Sequence, residues 1–406
     1  MRILFLTISD QQDNPLNKYT DLHRTYDFRS WEEGFRSFYA DIHILDYYAS
    51  FVSDGPFSME KNIYELVRKN HIQLIIVPNL YYEIGSTFLN ELRRLGCKSL
   101  VVFFDDSMRF DDTNRFYLNS FDYYLAHDYM TSKAQYKPYG INAEFFPFLP
   151  SYSFFNKIIQ RLNKATAKDA SDVVFVGAKI ADRDIFVDYL RKNHINISVY
   201  GKGWKSGMLT TEEMLAAFNL SKISLSFVKT IDGSGRFQLK GRLFEIIMAG
   251  GFVLSEHSDE LSNYFDIGSE IDTFRSSQEL FDKVKFYLEK NDLREKMAAR
   301  ANDRVKRCYS FESNWLQYLT KIKNNTIKTA YPNHNYKVSA TAVNSFLNWN
   351  FSFIYGRFML GQYGLAYQQY KFCRRELKYI DYKTPLNKLF LNMTVKDIIK
   401  MILSLF

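Results

Sequence analysis

Basic residues and glycines meet most densely between positions 236 and 256, where Arg236, Lys240, Gly241, Arg242, Glu245, Gly250, Gly251, Ser255 and Glu256 fall in one stretch. A Gly/Ser-rich loop, 232–235, leads into a helical pattern that starts at Gly241. Free main-chain N–H groups at a helix start, with Lys240 and Arg242 beside them, suit a diphosphate. Glu245 lies one turn deeper, where a carboxylate can accept hydrogen bonds from a ribose diol. A plain surface pair with Arg242 is the other reading, worth a few tenths of a kcal/mol. That pair alone leaves the Gly-Gly close and the basic cluster unexplained.

Two weaker signals precede this block. The apolar run 173–176 ends at Gly177, with Arg183 following: either a turn of the kind any buried strand needs, or a loop whose backbone approaches a phosphate. The run 197–200 ends in Gly201, Lys202, Gly203 and Trp204. This is a tight turn or a loop reaching toward an anion, with Trp204 available for stacking. Earlier in the chain, Asp105 and Asp106 follow an apolar run, and so do His127 and Asp128. Carboxylates or imidazoles at strand ends can orient or deprotonate a hydroxyl, and adjacent Asp residues also cap turns. No metal-ligand spacing is present, so no metal or other cofactor is expected.

These residues need a scaffold that brings strand ends together. Strand patterns at 3–8, 42–45, 74–77, 100–104 and 123–126 alternate with helical ones, among them Phe88, Leu89, Leu92 and Leu95 with Gly96 closing the helix. The continuous apolar run 74–77 suits a strand covered on both faces of a parallel sheet. Prolines at 147 and 150 interrupt the pattern, and 156–171 reads as polar helix or loop. Alternation resumes with strands at 173–176, 197–200, 223–228 and 252–254. Helices are expected at 183–193, 211–219, 241–249, 277–289 and 293–309. The fold class is therefore α/β: two Rossmann-like doubly wound domains facing a cleft, 1–150 and 172–320, with a linker at 151–171. A helical C-terminal extension, 321–406, follows. Doubly wound sheets bind ligands beyond the carboxyl ends of their strands.

Charge separates the extension from the body. Of 53 Lys/Arg and 45 Asp/Glu, residues 321–406 hold 13 and 3, so the first 320 residues are close to neutral. A near-neutral body argues against nucleic-acid binding. Sixteen aromatic residues also fall in the extension, among them Phe346, Trp349, Phe351, Phe353, Tyr355 and Phe358, followed by Lys371, Arg374, Arg375, Lys378, Lys383 and Lys388. A last amphipathic helix is expected at 395–406, capped by Thr394. The extension is either a helical appendage packed on the body or a set of interfacial helices on an anionic membrane. Three widely spaced cysteines fit a reducing compartment. With neither a signal-peptide pattern nor a long apolar run, the expected location is cytoplasmic, at most peripheral on the inner membrane face.

Gly177 with Arg183, the Gly201–Trp204 turn, and Arg242, Glu245, Gly250 and Gly251 together resemble the C-terminal domain of GT-B glycosyltransferases. The likeness is to the CgeB-like, spore maturation protein-type group related to glycosyltransferase family 4. It extends through Glu260, Phe265, Gly268 and Glu270 to Arg294 and Arg300, covering 172–318 well and 1–150 only by pattern. It implies transfer of a sugar from a nucleoside diphosphate to an acceptor hydroxyl on a glycan, lipid-linked or protein acceptor, in cell-surface glycan synthesis and with retention. It places Glu245 on the donor ribose and Arg183, Lys240 and Arg242 on the diphosphate, with Gly201 and Gly203 bordering the nucleotide. Asp105 would stand where relatives carry a histidine. Family 4 members usually show a second Glu eight positions before the ribose Glu; this chain has Phe237 there. A sugar-nucleotide epimerase on the same fold, or a non-catalytic nucleotide-sugar-binding or scaffolding module, are the alternative functions.

Overall fold

The computed structural model describes residues 1–8, 13–20, 28–78, 81–127, 135–147, 149–162, 171–180, 182–229, 237–327 and 337–380. The expected loop 232–235, Arg236, Asp128, Lys383, Lys388 and the expected helix at 395–406 lie outside them. The chain divides into two compact units. The first comprises Met1–Glu32, Tyr39–Phe146 and Lys323–Phe406, and the second Glu33–Phe38 and Pro147–Ile322.

Through the first unit the described elements run β1 (Ile3–Thr7), α1 (Arg29–Phe38, whose residues 33–38 belong to the second unit), β2 (Ile42–Asp46), α2 (Tyr47–Asp54), α3 (Pro56–Asn70), β3 (Leu74–Pro78), α4 (Ser86–Arg94), β4 (Lys98–Phe103), α5 (Asp106–Arg109), β5 (Tyr123–Ala126) and β6 (Glu144–Phe145). The strands pair in the order β2-β1-β3-β4-β5-β6, all parallel. β1 and β3 are buried along their whole length, as uninterrupted apolar runs require when helices cover both faces. Gly96 closes the turn after α4 at φ +80°, open to it without the strain a Cβ would bring.

The second unit runs α6 (Tyr152–Ile159), β7 (Val173–Val176), α7 (Arg183–Lys192), β8 (Ile197–Tyr200), α8 (Thr211–Leu220), β9 (Ile223–Ser226), α9 (Gly241–Met248), β10 (Val253–Glu256), β11 (Asp272–Phe274), α10 (Ser277–Glu289), α11 (Asn291–Cys308) and α12 (Phe311–Lys323). Its parallel sheet has the order β11-β10-β9-β7-β8. The topology reverses between β7 and β9: the chain leaves β7 for β8 on one side and returns to β9 on the other. This is the switch point at which doubly wound sheets bind ligands. α6 starts directly after Pro150, with Ser151 Oγ accepting from Phe154 N at 3.2 Å, so the helix lies earlier than the polar 156–171 segment suggested.

The described part of the tail is built into the first unit. α13 (Ala340–Met359) and α14 (Tyr363–Tyr379) form an antiparallel hairpin. Phe346 stacks on Phe116 at 4.5 Å, Phe353 meets Phe51 edge-on at 5.2 Å, and Phe372 meets Phe57 at 6.5 Å. Much of the aromatic density that set the tail apart is thus hydrophobic core. Two of its basic residues engage buried partners as well. Arg357 is wholly buried and donates to Phe51 O. Arg375 grips Glu60 with both terminal nitrogens, at 2.7 and 2.6 Å, and donates from Nε to Glu376 at 2.9 Å. Glu376, fully buried, accepts from Thr87 N and Thr87 Oγ1 and so caps the first turn of α4. Gly85 leaves room for this: a Cβ there would fall 2.4 Å from Glu376 Oε1. Burial lifts the Glu60 carboxyl to about 7, and the Arg375 fork opposes a further rise.

Arg375→Ala would strand two buried carboxylates, so urea denaturation should show a loss of about 3 kcal/mol. Lys378→Ala, on the exposed side of the same helix, should change stability by less than about 0.5 kcal/mol.

Candidate functional site

The strand ends of the second unit border a cavity. β7 ends at Val176 and the chain turns at Gly177. The β8 turn backs it closely: Gly201 sits at φ +128°, and a Cβ there would come within 2.4 Å of Gly177 O. Trp204 Nε1 donates to the same carbonyl at 2.9 Å, and Lys179 N donates to Lys202 O at 2.8 Å. Trp204 is 9% exposed and meets Phe175 edge-on at 6.3 Å. Its indole is therefore a prop beneath the Gly177 turn, which corrects the expectation of a free stacking platform. Gly203 closes the turn at φ +87°, and Lys202 is exposed and takes no part in the cavity lining.

A cavity of about 210 Å³ opens at the carboxyl ends of β7 and β9, at the switch point. Phe175 and Phe227 form its apolar wall; Gly177, Arg183, Ser226, Lys240 and Arg242 supply polar atoms. Four of the sequence-predicted residues, Gly177, Arg183, Lys240 and Arg242, thus converge from three separate segments. Arg183, at the start of α7, is 8% exposed, with its guanidinium 5.7 Å from the Phe175 ring and 5.6 Å from the Phe227 ring. It donates to Ala178 O at 3.1 Å and makes no ion pair among the described residues. Burial lowers its pKa, and the charge of Glu256 opposes that shift. Ser226 is buried, and its Oγ has no hydrogen-bond partner among the described residues. A buried cation with no ion pair and a hydroxyl with no hydrogen-bond partner among the described residues give this cavity the chemistry to accept an anion.

Lys240 occupies the N-cap position of α9 and Arg242 its first turn. Arg242 Nη1 lies 2.6 Å from Glu245 Oε2, with side-chain exposures of 33% and 16%. The pair read from the sequence as the plain alternative does form, with Arg242 also part of the cavity wall. Glu256, at the end of β10, carried no assigned role in the sequence. It is 3% exposed, accepts from Val228 N and Lys229 N at 3.3 Å each, and pairs with Lys229 Nζ. It thereby anchors the neck where Lys229 and Phe237 bridge. The signal was a carboxylate at the end of an otherwise apolar strand. Phe237 stacks on Tyr264 at 6.3 Å and 19°.

In the first unit, the three predicted residues separate by role. Asp106 is fully buried, and three donors engage its oxygens: Tyr136 OH at 2.6 Å, Asn114 Nδ2 at 2.9 Å and His127 N at 2.7 Å. This carboxylate ties the end of β4 to the end of β5 and has no exposed edge for an acceptor hydroxyl, which corrects the catalytic expectation. His127 is buried too, stacked on Phe104 at 4.3 Å and 3°, with Nδ1 against Phe146 O. The carbonyl accepts, so Nδ1 carries the proton. Burial lowers the ring's pKa to about 3, too weak a base for the acid/base role expected of it. Asp105 differs from both. It is half-exposed at the end of β4, in the left-handed region at φ +56°, ψ 39°. That conformation costs a non-glycine residue roughly 1 kcal/mol and is held by the Asp106 hydrogen bonds that follow it.

Residues 183–320 match a family described as glycosyl transferase-like. No curated protein matches the chain. Solved structures do. Sucrose-phosphate synthase from Thermosynechococcus elongatus is 10% identical, with 80% of this chain and 99% of that one covered at a TM-score of 0.52. HepE (Alr3699) of Anabaena, in complex with UDP-glucose, is 11% identical over 80% and 100% at 0.53. A glycosyltransferase from Rickettsia africae is 12% identical over 80% and 98% at 0.50. At such identities the likeness is one of fold: two doubly wound parallel units, the GT-B architecture, here with additional C-terminal helices.

The buried His127 fixes a pH dependence. Its native form is neutral, whereas the unfolded chain takes up the proton near pH 6.5. Stability is therefore full above that pH and declines as pH falls toward 3. Between pH 6.5 and 5 the loss should be about 2 kcal/mol by chemical denaturation, and His127→Gln should lack that increment.

Proposed function

We propose that the chain is a glycosyltransferase that moves a sugar from a nucleoside diphosphate to an acceptor hydroxyl. One observation carries the reading: Arg183, a buried guanidinium that makes no ion pair among the described residues, lines the switch-point cavity together with Ser226 and the basic start of α9. The match of 183–320 to a glycosyltransferase-like family supports it independently. In this reading, Arg183, Lys240 and Arg242 hold the diphosphate, and the α9 N-terminus takes up charge as it leaves, with no metal assigned. Glu245 holds the ribose. Asp105 orients or deprotonates the acceptor, its strained backbone fixing the carboxylate where it stands. The lineage is the CgeB-like group related to family 4, with retention as the stereochemical outcome and a cell-surface glycan as product. The anomeric configuration of the product tests the retention.

The acceptor's setting is an anionic membrane surface in the cytoplasm. The outer face of α14 supports this part of the reading: Tyr363, Tyr367, Lys371 and Lys378 are exposed, and the helix's one acid, Glu376, is buried. Lys and Arg near an anionic bilayer contribute about 1 kcal/mol each, and tyrosines favour the headgroup level. No helix among the described residues is long and apolar enough to cross a membrane. Co-sedimentation with phosphatidylglycerol vesicles should be strong at low salt and lost at high salt or in Lys371→Glu/Lys378→Glu. Salt-independent absence of binding would remove the membrane.

A panel of nucleotide sugars, read by nucleotide release and product analysis, tests the chemistry. Arg183→Ala should weaken nucleotide binding by about tenfold or more, with Arg183→Lys recovering only part of it. Asp105→Asn should keep donor affinity and lose turnover by about 100-fold. Full activity of Asp105→Asn would exclude that carboxylate, and interconversion of free sugar nucleotides would point to epimerisation.

A further inference from the structure

We propose that the C-terminal hairpin positions the acceptor-side carboxylate: Glu376, Arg375, Phe346 and Trp349 fix the connection 81–87 after β3, and that connection fixes the turn carrying Asp105. This rests on the acceptor reading of Asp105 above and deepens it. β3 and β4 are paired up to their carboxyl ends, Pro78 beside Val102. The connection leaving β3 and the Asp105 turn leaving β4 therefore emerge side by side, within the first unit.

The hairpin holds 81–87 at two points. Near its start, Tyr82 is 2% exposed and meets Phe346 edge-on at 5.5 Å and Trp349 at 5.9 Å, both from α13. Phe116 and Tyr117, in the segment that follows α5, pack on the same ring at 5.4 and 6.3 Å, and Tyr117 OH donates to Ile84 O at 2.8 Å. At its end, Thr87 N donates to Glu376 Oε2 at 3.2 Å. Gly85 lies so close to α14 that a Cβ would fall 2.5 Å from Arg375 Nη2. The far side of the connection reaches the Asp105 turn. Tyr81 N donates to the buried Glu83 at 2.9 Å. The Tyr81 ring carries the Arg109 guanidinium 3.6 Å from its centre, and Arg109 N donates to Asp105 O at 3.0 Å. Contacts thus run unbroken from the hairpin through Tyr82 and Tyr81 to Arg109 and Asp105.

A left-handed aspartate persists only where its surroundings over-determine it. The Asp106 hydrogen bonds hold the turn from within, and the stack of Arg109 on Tyr81 holds it from the β3 side. Glu376 is wholly buried and touches no substrate, so it acts through the connection, as a positioning residue. A carboxylate displaced by a fraction of an ångström loses rate without any change in donor binding.

Donor hydrolysis by the full chain, with UDP-, GDP- and ADP-glucose as probes and water as acceptor, tests this. Glu376→Gln, Trp349→Leu and Tyr81→Leu should each lower kcat by about tenfold and leave the donor KM within about twofold. Tyr81→Phe, which keeps the ring beneath Arg109, should keep kcat. In an Asp105→Asn background the three substitutions should cost less than about twofold more, because the group they position is already gone. Trp349 and Tyr81 are only partly buried, so their variants carry the test should Glu376→Gln fold poorly. Full turnover in Glu376→Gln and Trp349→Leu, with Asp105→Asn crippled, overturns the positioning role and leaves the acceptor reading standing. Undiminished losses in the Asp105→Asn background also overturn it, as a general loosening of the fold. Full activity of Asp105→Asn, or a wild type that hydrolyses none of the three donors, overturns the reading beneath it and the positioning role as well.

Discussion

A guanidinium that is 8% exposed, beside two phenyl rings and without an ion pair among the described residues, is costly to keep. Arg183 is in that position at the mouth of β7 and β9, and much of the second unit's local structure follows from holding it there. The turn at Gly177 carries the chain past the ring of Phe175, and the Gly201 turn presses so close behind that only a glycine fits. Trp204 fixes the Gly177 carbonyl from below. Glu256 lends Arg183 a distant opposite charge while spending its own hydrogen bonds on the neck of the loop entering α9. The cavity is what remains between these elements.

The strands were legible wherever burial on both faces forced an unbroken apolar run, as in β3 and β7. β11 was not: it has three residues, two of them polar, and is tolerated in the interior because Asp272 is met by Lys283 Nζ at 3.0 Å and Tyr287 OH at 2.8 Å. Such compensation comes from residues distant in sequence and leaves no periodic trace. The same blindness affected the site. The sequence marks Arg183, Lys240 and Arg242 as basic residues beside glycines and helix starts, and the structure brings them to one cavity wall. Trp204, Asp106 and His127 stand at or near strand ends as well, a position common to residues that face a ligand and residues that brace the turn beneath it. Only hydrogen-bond partners separate the two.

The tail makes a similar point about composition. Charge and aromatic counts set 321–406 apart, and a count cannot tell a ring that faces a lipid headgroup from one stacked on Phe116. In the described part both uses coexist on one hairpin. Phe346, Phe353, Phe372, Arg357 and Arg375 face the first unit, while Tyr363, Tyr367, Lys371 and Lys378 face outward. Because Glu376 caps α4 from this hairpin, the segment following β3 is held by residues nearly three hundred positions away.

The central claim is that the switch-point cavity is the seat of a donor diphosphate. A crystal structure of the chain with UDP tests it most directly. The account predicts the two phosphates in the cavity, within hydrogen-bond reach of the Arg183 guanidinium, Ser226 Oγ and the first N–H groups of α9. UDP bound elsewhere, with the cavity empty at saturating nucleotide, would contradict it.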